Sequence, residues 1–77
     1  MKVTLYFIET RSQPDRKDID LEWIQRVIDH PEKEQIEANG RIRRWARIDE
    51  VGKYVRVILL EDGETVHNAF FDRSYKP

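Results

Sequence analysis

The stretch "YVRVILLEDGETVHNAFF", residues 54–71, decides the fold. Two runs rich in β-branched and aromatic residues flank Asp62-Gly63, a pair that favours a tight hairpin turn. The spacing predicts strands over 54–60 and 64–71 with a two-residue loop at 62 and 63. A regular ladder from that loop sets Leu60 against Thr65, Leu59 against Val66, Ile58 against His67, Val57 against Asn68, Arg56 against Ala69 and Val55 against Phe70. Alternation then puts Val55, Val57, Leu59, Val66, Asn68 and Phe70 on one face. Tyr54, Arg56, Ile58, Leu60, Thr65, His67, Ala69 and Phe71 fall on the other. The first face suits a helix; the second mixes apolar, cationic and imidazole groups. Asn68, placed on the helix side, is expected to bond backbone near the polar loop of residues 10–18, since an unpaired buried amide costs about 1–3 kcal/mol.

Working backwards, "RIRRWARI" (41–48) reads as a third strand, bounded by Asn39-Gly40 and by a turn at Gly52. "DLEWIQRVIDHP" (20–31) reads as the one main helix. Asp20 suits its N-cap, and Ile19 and Ile24 are spaced as a hydrophobic staple. Leu21, Ile24, Val27 and Ile28 form its apolar stripe, with Trp23 at the flank. Pro31 disfavours helical dihedrals at His30 and ends it. "KVTLYFI" reads as a first strand over 2–8, followed by a polar loop with a turn of helix near Pro14. The expectation is a single small α+β domain over 1–77: one main helix packed on an antiparallel sheet of about four strands.

Composition narrows the function classes. Charged residues are 38% of the chain but cancel to a net charge of −1, so the overall field does not announce nucleic acid or membrane. There is no cysteine, so neither disulfides nor thiolate metal ligands are available. His30 and His67 lack a second ligand at metal spacing, and the glycines stand singly at turns; no metal and no cofactor are expected. The N-terminal apolar run is too short and mixed for a signal peptide or a spanning helix, which points to a soluble cytoplasmic protein.

Two groups of residues carry chemistry. Arg41, Arg43, Trp45 and Arg47 share one strand face, and cations interleaved with an aromatic can hold phosphates and stack a base. The competing reading is a solvated face whose arginine stems cover Trp45. In the regular register His67 and Arg56 are diagonal neighbours, about 7 Å apart at the backbone, with Tyr54 on the same face. A histidine acid/base, an arginine to stabilise charge and a tyrosine suffice for metal-free RNA cleavage.

The segments "TRSQPDRKDIDLEWIQRVIDHPEKEQ", "GRIRRWARI" and "YVRVILLEDGETVHNAFFDR" resemble a group of small bacterial proteins of unknown function, itself similar to the BrnT-like and RelE-like toxin domains of toxin–antitoxin systems. The resemblance implies a strand, one or two helices and an antiparallel meander. It also implies a ribonuclease restrained by an antitoxin protein, with RNA as substrate; joined to the His67, Arg56 and Tyr54 chemistry, the expectation is a metal-independent one. No characterised motif of those toxins transfers residue by residue, so Arg56, His67, Asp72 and Arg73 stand as candidates by chemistry and position. The alternative is a non-catalytic module that binds protein or nucleic acid. The face bearing Tyr54, Ile58, Leu60, Ala69 and Phe71, with Tyr6 and Ile8 beside it, lacks a covering helix in this reading, which predicts that a second copy or a partner chain covers it, a homodimer being the simpler case.

Overall fold

The computed structural model describes residues 1–77. The chain runs β1 (Lys2–Val3), α1 (Leu5–Thr10), α2 (Leu21–Asp29), β2 (Lys33–Ile36), β3 (Ile42–Ile48), β4 (Lys53–Leu59) and β5 (Thr65–Phe71). The five strands form one mixed sheet in the order β1-β5-β4-β3-β2. β2 to β5 are an antiparallel meander, and β1 joins β5 in parallel. The α+β class holds. The expected four strands and one helix become five strands and two short helices. No helix is long and apolar enough to cross a membrane.

α2 forms as its sequence dictates. Asp20 caps it, accepting the Glu22 amide hydrogen at 2.9 Å, and Ile19 and Ile24 are both buried as a staple requires. Ile24 and Val27 meet Ile48, Val55, Val57, Leu59 and Val66 in the core. Leu21, expected on the buried stripe, is instead exposed.

The N-terminal segment departs from expectation. Only Lys2–Val3 are strand, and residues 5–10 are helical. Thr4 makes the switch. Its amide closes the β1–β5 pairing on the Val66 carbonyl at 3.0 Å, and its hydroxyl then accepts the Phe7 amide hydrogen at 3.1 Å. Helix geometry buries Phe7 and Thr10, three residues apart, and leaves Leu5, Tyr6 and Ile8 exposed. The cap and the Phe7 anchor outweigh the strand preference of "KVTLYFI".

β2 had no strand pattern to reveal it. Its four residues, Lys33 to Ile36, are all exposed at the edge of the sheet. A polar, charged edge strand lacks alternation because neither face is fully buried, and its charge discourages edge-to-edge pairing.

The decisive correction lies in β5. Leu59 pairs with Val66 as expected, but Ile58 pairs with Asn68, Val57 with Ala69, Arg56 with Phe70 and Val55 with Phe71. His67 is the extra residue of a β-bulge. The loop is also wider than a two-residue turn: residues 60–64 lie outside both strands, with Asp62 accepting the Glu64 and Thr65 amide hydrogens and Gly63 at φ 69°. A one-residue slip reverses the faces of everything beyond it. Ala69 is buried and Phe71 packs against the helix-side core, while Asn68 and Phe70 turn away. The apolar surface from which a homodimer was expected is therefore broken up, since Ala69 and Phe71 lie on the core side.

Candidate functional site

Both helices pack on one side of the sheet, so the opposite side is left without a helix. Cross-strand pairing places Arg43, Trp45 and Arg47 of β3, Tyr54, Arg56 and Ile58 of β4, and Asn68 and Phe70 of β5 on that open side. Two polar centres stand on it.

The first is built on Asp72, just beyond β5. One carboxylate oxygen accepts from Trp45 Nε1 at 2.9 Å and from Arg56 Nε and Nη2 at 3.0 and 2.7 Å. The other accepts from the Ser74 amide at 3.0 Å and its hydroxyl at 2.7 Å. The Arg56 guanidinium also lies over the rings of Trp45 and Phe70, at 5.2 and 5.1 Å from their centroids. Trp45 and Asp72 are only 4% and 8% exposed. Burial alone raises a carboxyl pKa; here the hydrogen bonds from Ser74, Trp45 and Arg56, with the Arg56 charge, outweigh it and hold Asp72 well below the usual carboxylate range.

The second centre is His67 at the bulge. Its Nδ1 lies 3.1 Å from Thr4 Oγ1, and its ring stacks on Tyr6 with centroids 4.8 Å apart and planes at 22°. Nε2 makes no hydrogen bond within the protein. Partial burial, then the nearby Arg41 charge, lower the imidazole pKa, so the neutral ring dominates at pH 7.

The sequence candidates therefore separate. Arg56 is bound into the Asp72 centre and sits opposite Phe70, while His67 is held by Thr4 and Tyr6; the diagonal Arg56–His67 pair of the regular ladder does not form. Tyr54 packs its ring on Tyr75 at 4.8 Å. Arg43 is bonded to Glu37, and Arg47 to Asp49 at 3.1 Å. Arg41 takes part in no ion pair; all six arginines that do are charge-neutralised locally. Asn68 faces the open side, not the helices. Its Oδ1 accepts from the Ala69 amide at 3.0 Å and from Arg16 Nε at 3.1 Å, so it does tie β5 to the loop after α1, through a side chain.

Thr4 and Tyr75 were not singled out in the sequence, and Tyr6 was named there only beside an apolar contact face, not as a neighbour of His67. Thr4 and Tyr6 sit in a segment whose composition suggests strand, and Tyr75 stands in a short polar tail. An S/T residue immediately before an apolar run was the one available cue to the cap at Thr4.

No family model, curated protein or solved structure matches the chain.

Proposed function

We propose that the chain is a metal-independent endoribonuclease of the toxin type, with its reacting centre at His67. The observation that carries this reading is the state of that imidazole: one nitrogen is oriented, one ring face is stacked, and the other nitrogen is uncommitted. An oriented base with a free nitrogen is the arrangement acid–base catalysis needs. The order strand, two helices, antiparallel meander is also compatible with the strand, one or two helices and meander that the resemblance to BrnT-like and RelE-like domains implies.

In this reading the proton of the neutral ring is on Nδ1. Thr4 Oγ1 accepts it alongside the Phe7 amide hydrogen, as a hydroxyl oxygen with two lone pairs allows. Nε2 takes the proton of a ribose 2′-hydroxyl. The 2′-oxygen bonds to the adjacent phosphorus, the bond to the 5′-oxygen breaks, and solvent protonates that leaving oxygen. The products are a 2′,3′-cyclic phosphate and a free 5′-hydroxyl. Arg41 is the cation for the developing phosphate charge, and Tyr6 holds the ring plane; they take the places expected for Arg56 and Tyr54. An antitoxin protein would act by covering this corner. Induced expression should arrest bacterial growth, and His67→Ala should abolish the arrest while the protein stays folded by circular dichroism. Growth unaffected by the wild-type chain overturns the reading.

A second reading, a non-catalytic binding module, draws on the neutralised arginines. A domain whose guanidinium groups are mostly paired with its own carboxylates has little free charge on that face for phosphate, and its open sheet would then recognise a partner by shape and rings.

A further inference from the structure

The ring faces on the open side are not all used for packing the domain itself. Tyr75, in the tail after β5, lies parallel to Trp45 with centroids 5.4 Å apart and planes at 19°, and tilts against Tyr54 at 4.8 Å. Lys33 Nζ stands 5.7 Å from the Trp45 ring centre and 5.8 Å from that of Tyr75. The tail is lightly held. Ser74 is bonded to Asp72, but residues 75–77 make no backbone hydrogen bond and the Tyr75 hydroxyl none either. A cleft of about 290 Å³ opens beside Tyr75, lined by Lys53, Tyr54, Phe71 and Arg73 among others.

Cations surround this ring in a way the sequence did not suggest. Lys33, Lys53, Arg73 and Lys76 take part in no ion pair, in contrast to Arg43, Arg47 and Arg56. Lys33 lies over the stack, Arg73 lines the cleft, Lys53 lines it from the helix side with its ammonium 4.9 Å from the Phe71 ring centre, and Lys76 follows Tyr75 in the chain. Cations without a carboxylate partner around stacked aromatics are the chemistry that binds single-stranded nucleic acid: rings take bases and cations take phosphates. A planar side chain held by ring stacking and a cation over its face, with no hydrogen bond of its own, is a stand-in for such a base.

We propose that Trp45, Tyr54 and Lys33 form a stacking site for a nucleobase of single-stranded RNA, which Tyr75 occupies in the free protein and vacates when RNA binds. The proposal rests on the RNA reading of the open face, and it adds a substrate subsite distant from the reacting centre in the sheet register. Opening the tail costs the Tyr75 stack, so the free protein binds RNA more weakly than its platform allows.

The test is binding of a fluorescein-labelled single-stranded RNA decamer, followed by anisotropy, to the wild type, Tyr75→Ala, Tyr75→Phe and Tyr75→Ala/Lys33→Gln. Tyr75→Ala should bind roughly tenfold tighter, the size of one lost competing stack. Tyr75→Phe, which keeps the ring, should behave as the wild type. The double variant should give back most of the gain, and Tyr75→Ala should show a log–log salt slope of about −2 to −3, as for three or four phosphate contacts. Iodide quenching in a Trp23→Phe background reports whether Trp45 has been uncovered, and far-UV circular dichroism with a cooperative urea transition reports whether the chain is still folded, so an opened platform is separated from an unfolded chain. Tyr75→Ala that exposes Trp45 yet binds no tighter, or absence of binding by every variant, overturns the proposal. If RNA is cleaved in a His67-dependent way while Tyr75→Ala shows no gain, the stacking site fails and the ribonuclease stands. If Tyr75→Ala gains binding but no chain cleaves RNA, the ribonuclease fails and the stacking site stands.

Discussion

The two polar centres on the open sheet face differ in one respect that separates architecture from chemistry. The Asp72 carboxylate accepts five hydrogen bonds and sits under its own tail. His67 has one hydrogen bond, one stacked ring and a free nitrogen. A buried ion whose lone pairs are all satisfied holds a structure in one arrangement; it has no bonding capacity left to offer a substrate. A polar group that is oriented but not saturated has that capacity. Sequence alone placed Arg56 with His67, whereas the structure places it in the saturated centre.

The largest expected effect comes from breaking the saturated centre. Asp72→Ala strands the Arg56 charge, with its side chain 21% exposed, and leaves the Trp45 N–H without its acceptor. Losing one partner of a largely buried pair costs about 3–5 kcal/mol. Urea denaturation of Asp72→Ala should show a loss of that order, and a change below about 1 kcal/mol would mean the centre is not structural.

Removing His67 altogether should be milder, and it tests the bulge directly. With that residue deleted, Val66 still meets Leu59 and Asn68 still meets Ile58, so every later side chain keeps its face. The shortened chain should unfold cooperatively, with a loss under about 2 kcal/mol for one hydrogen bond and one ring stack. A chain that no longer folds would show that the bulge is needed for more than presenting the imidazole.

Acid should distinguish the centres by range. Both groups have lowered pKa values in the folded state, so the unfolded chain binds more protons and stability rises with pH. The His67 contribution is complete above its unfolded value of 6.5 and fades as the pH falls below it. That of Asp72 is complete above 3.8 and fades only below that. His67→Gln should therefore remove a small slope just below pH 6.5 and leave the acid limb in place. An unchanged profile between pH 5 and 7 would contradict the partial burial of the ring.

How much of this was legible follows from which interactions are local. α2 could be read because its cap, staple and stripe lie within twelve residues, and β3, β4 and β5 because apolar alternation marks half-buried strands. The helix at 5–10 could not, because the choice depends on where Thr4 bonds and on a core that accepts only Phe7. β2 could not, because an edge strand needs no alternation. The bulge was the costliest miss. Nothing in "TVHNAFF" fixes where the extra residue lies, and a single slip moved Asn68, Ala69, Phe70 and Phe71 to opposite faces. The site inherited that error: His67 was chosen by its chemistry, but its neighbours were assigned from a ladder that the structure does not keep.

The central claim, that the unsaturated centre performs the chemistry, is tested most directly by incubating purified chain with end-labelled single-stranded RNA in excess EDTA. The account predicts cleavage by the wild type to products ending in 2′,3′-cyclic phosphate, with the rate falling by about 100-fold or more in His67→Gln, the scale of a lost general base. Arg56→Lys, if folded, should retain cleavage, because Arg56 belongs to the Asp72 centre. RNA left intact by the wild type, or cut equally well by His67→Gln, would contradict the account.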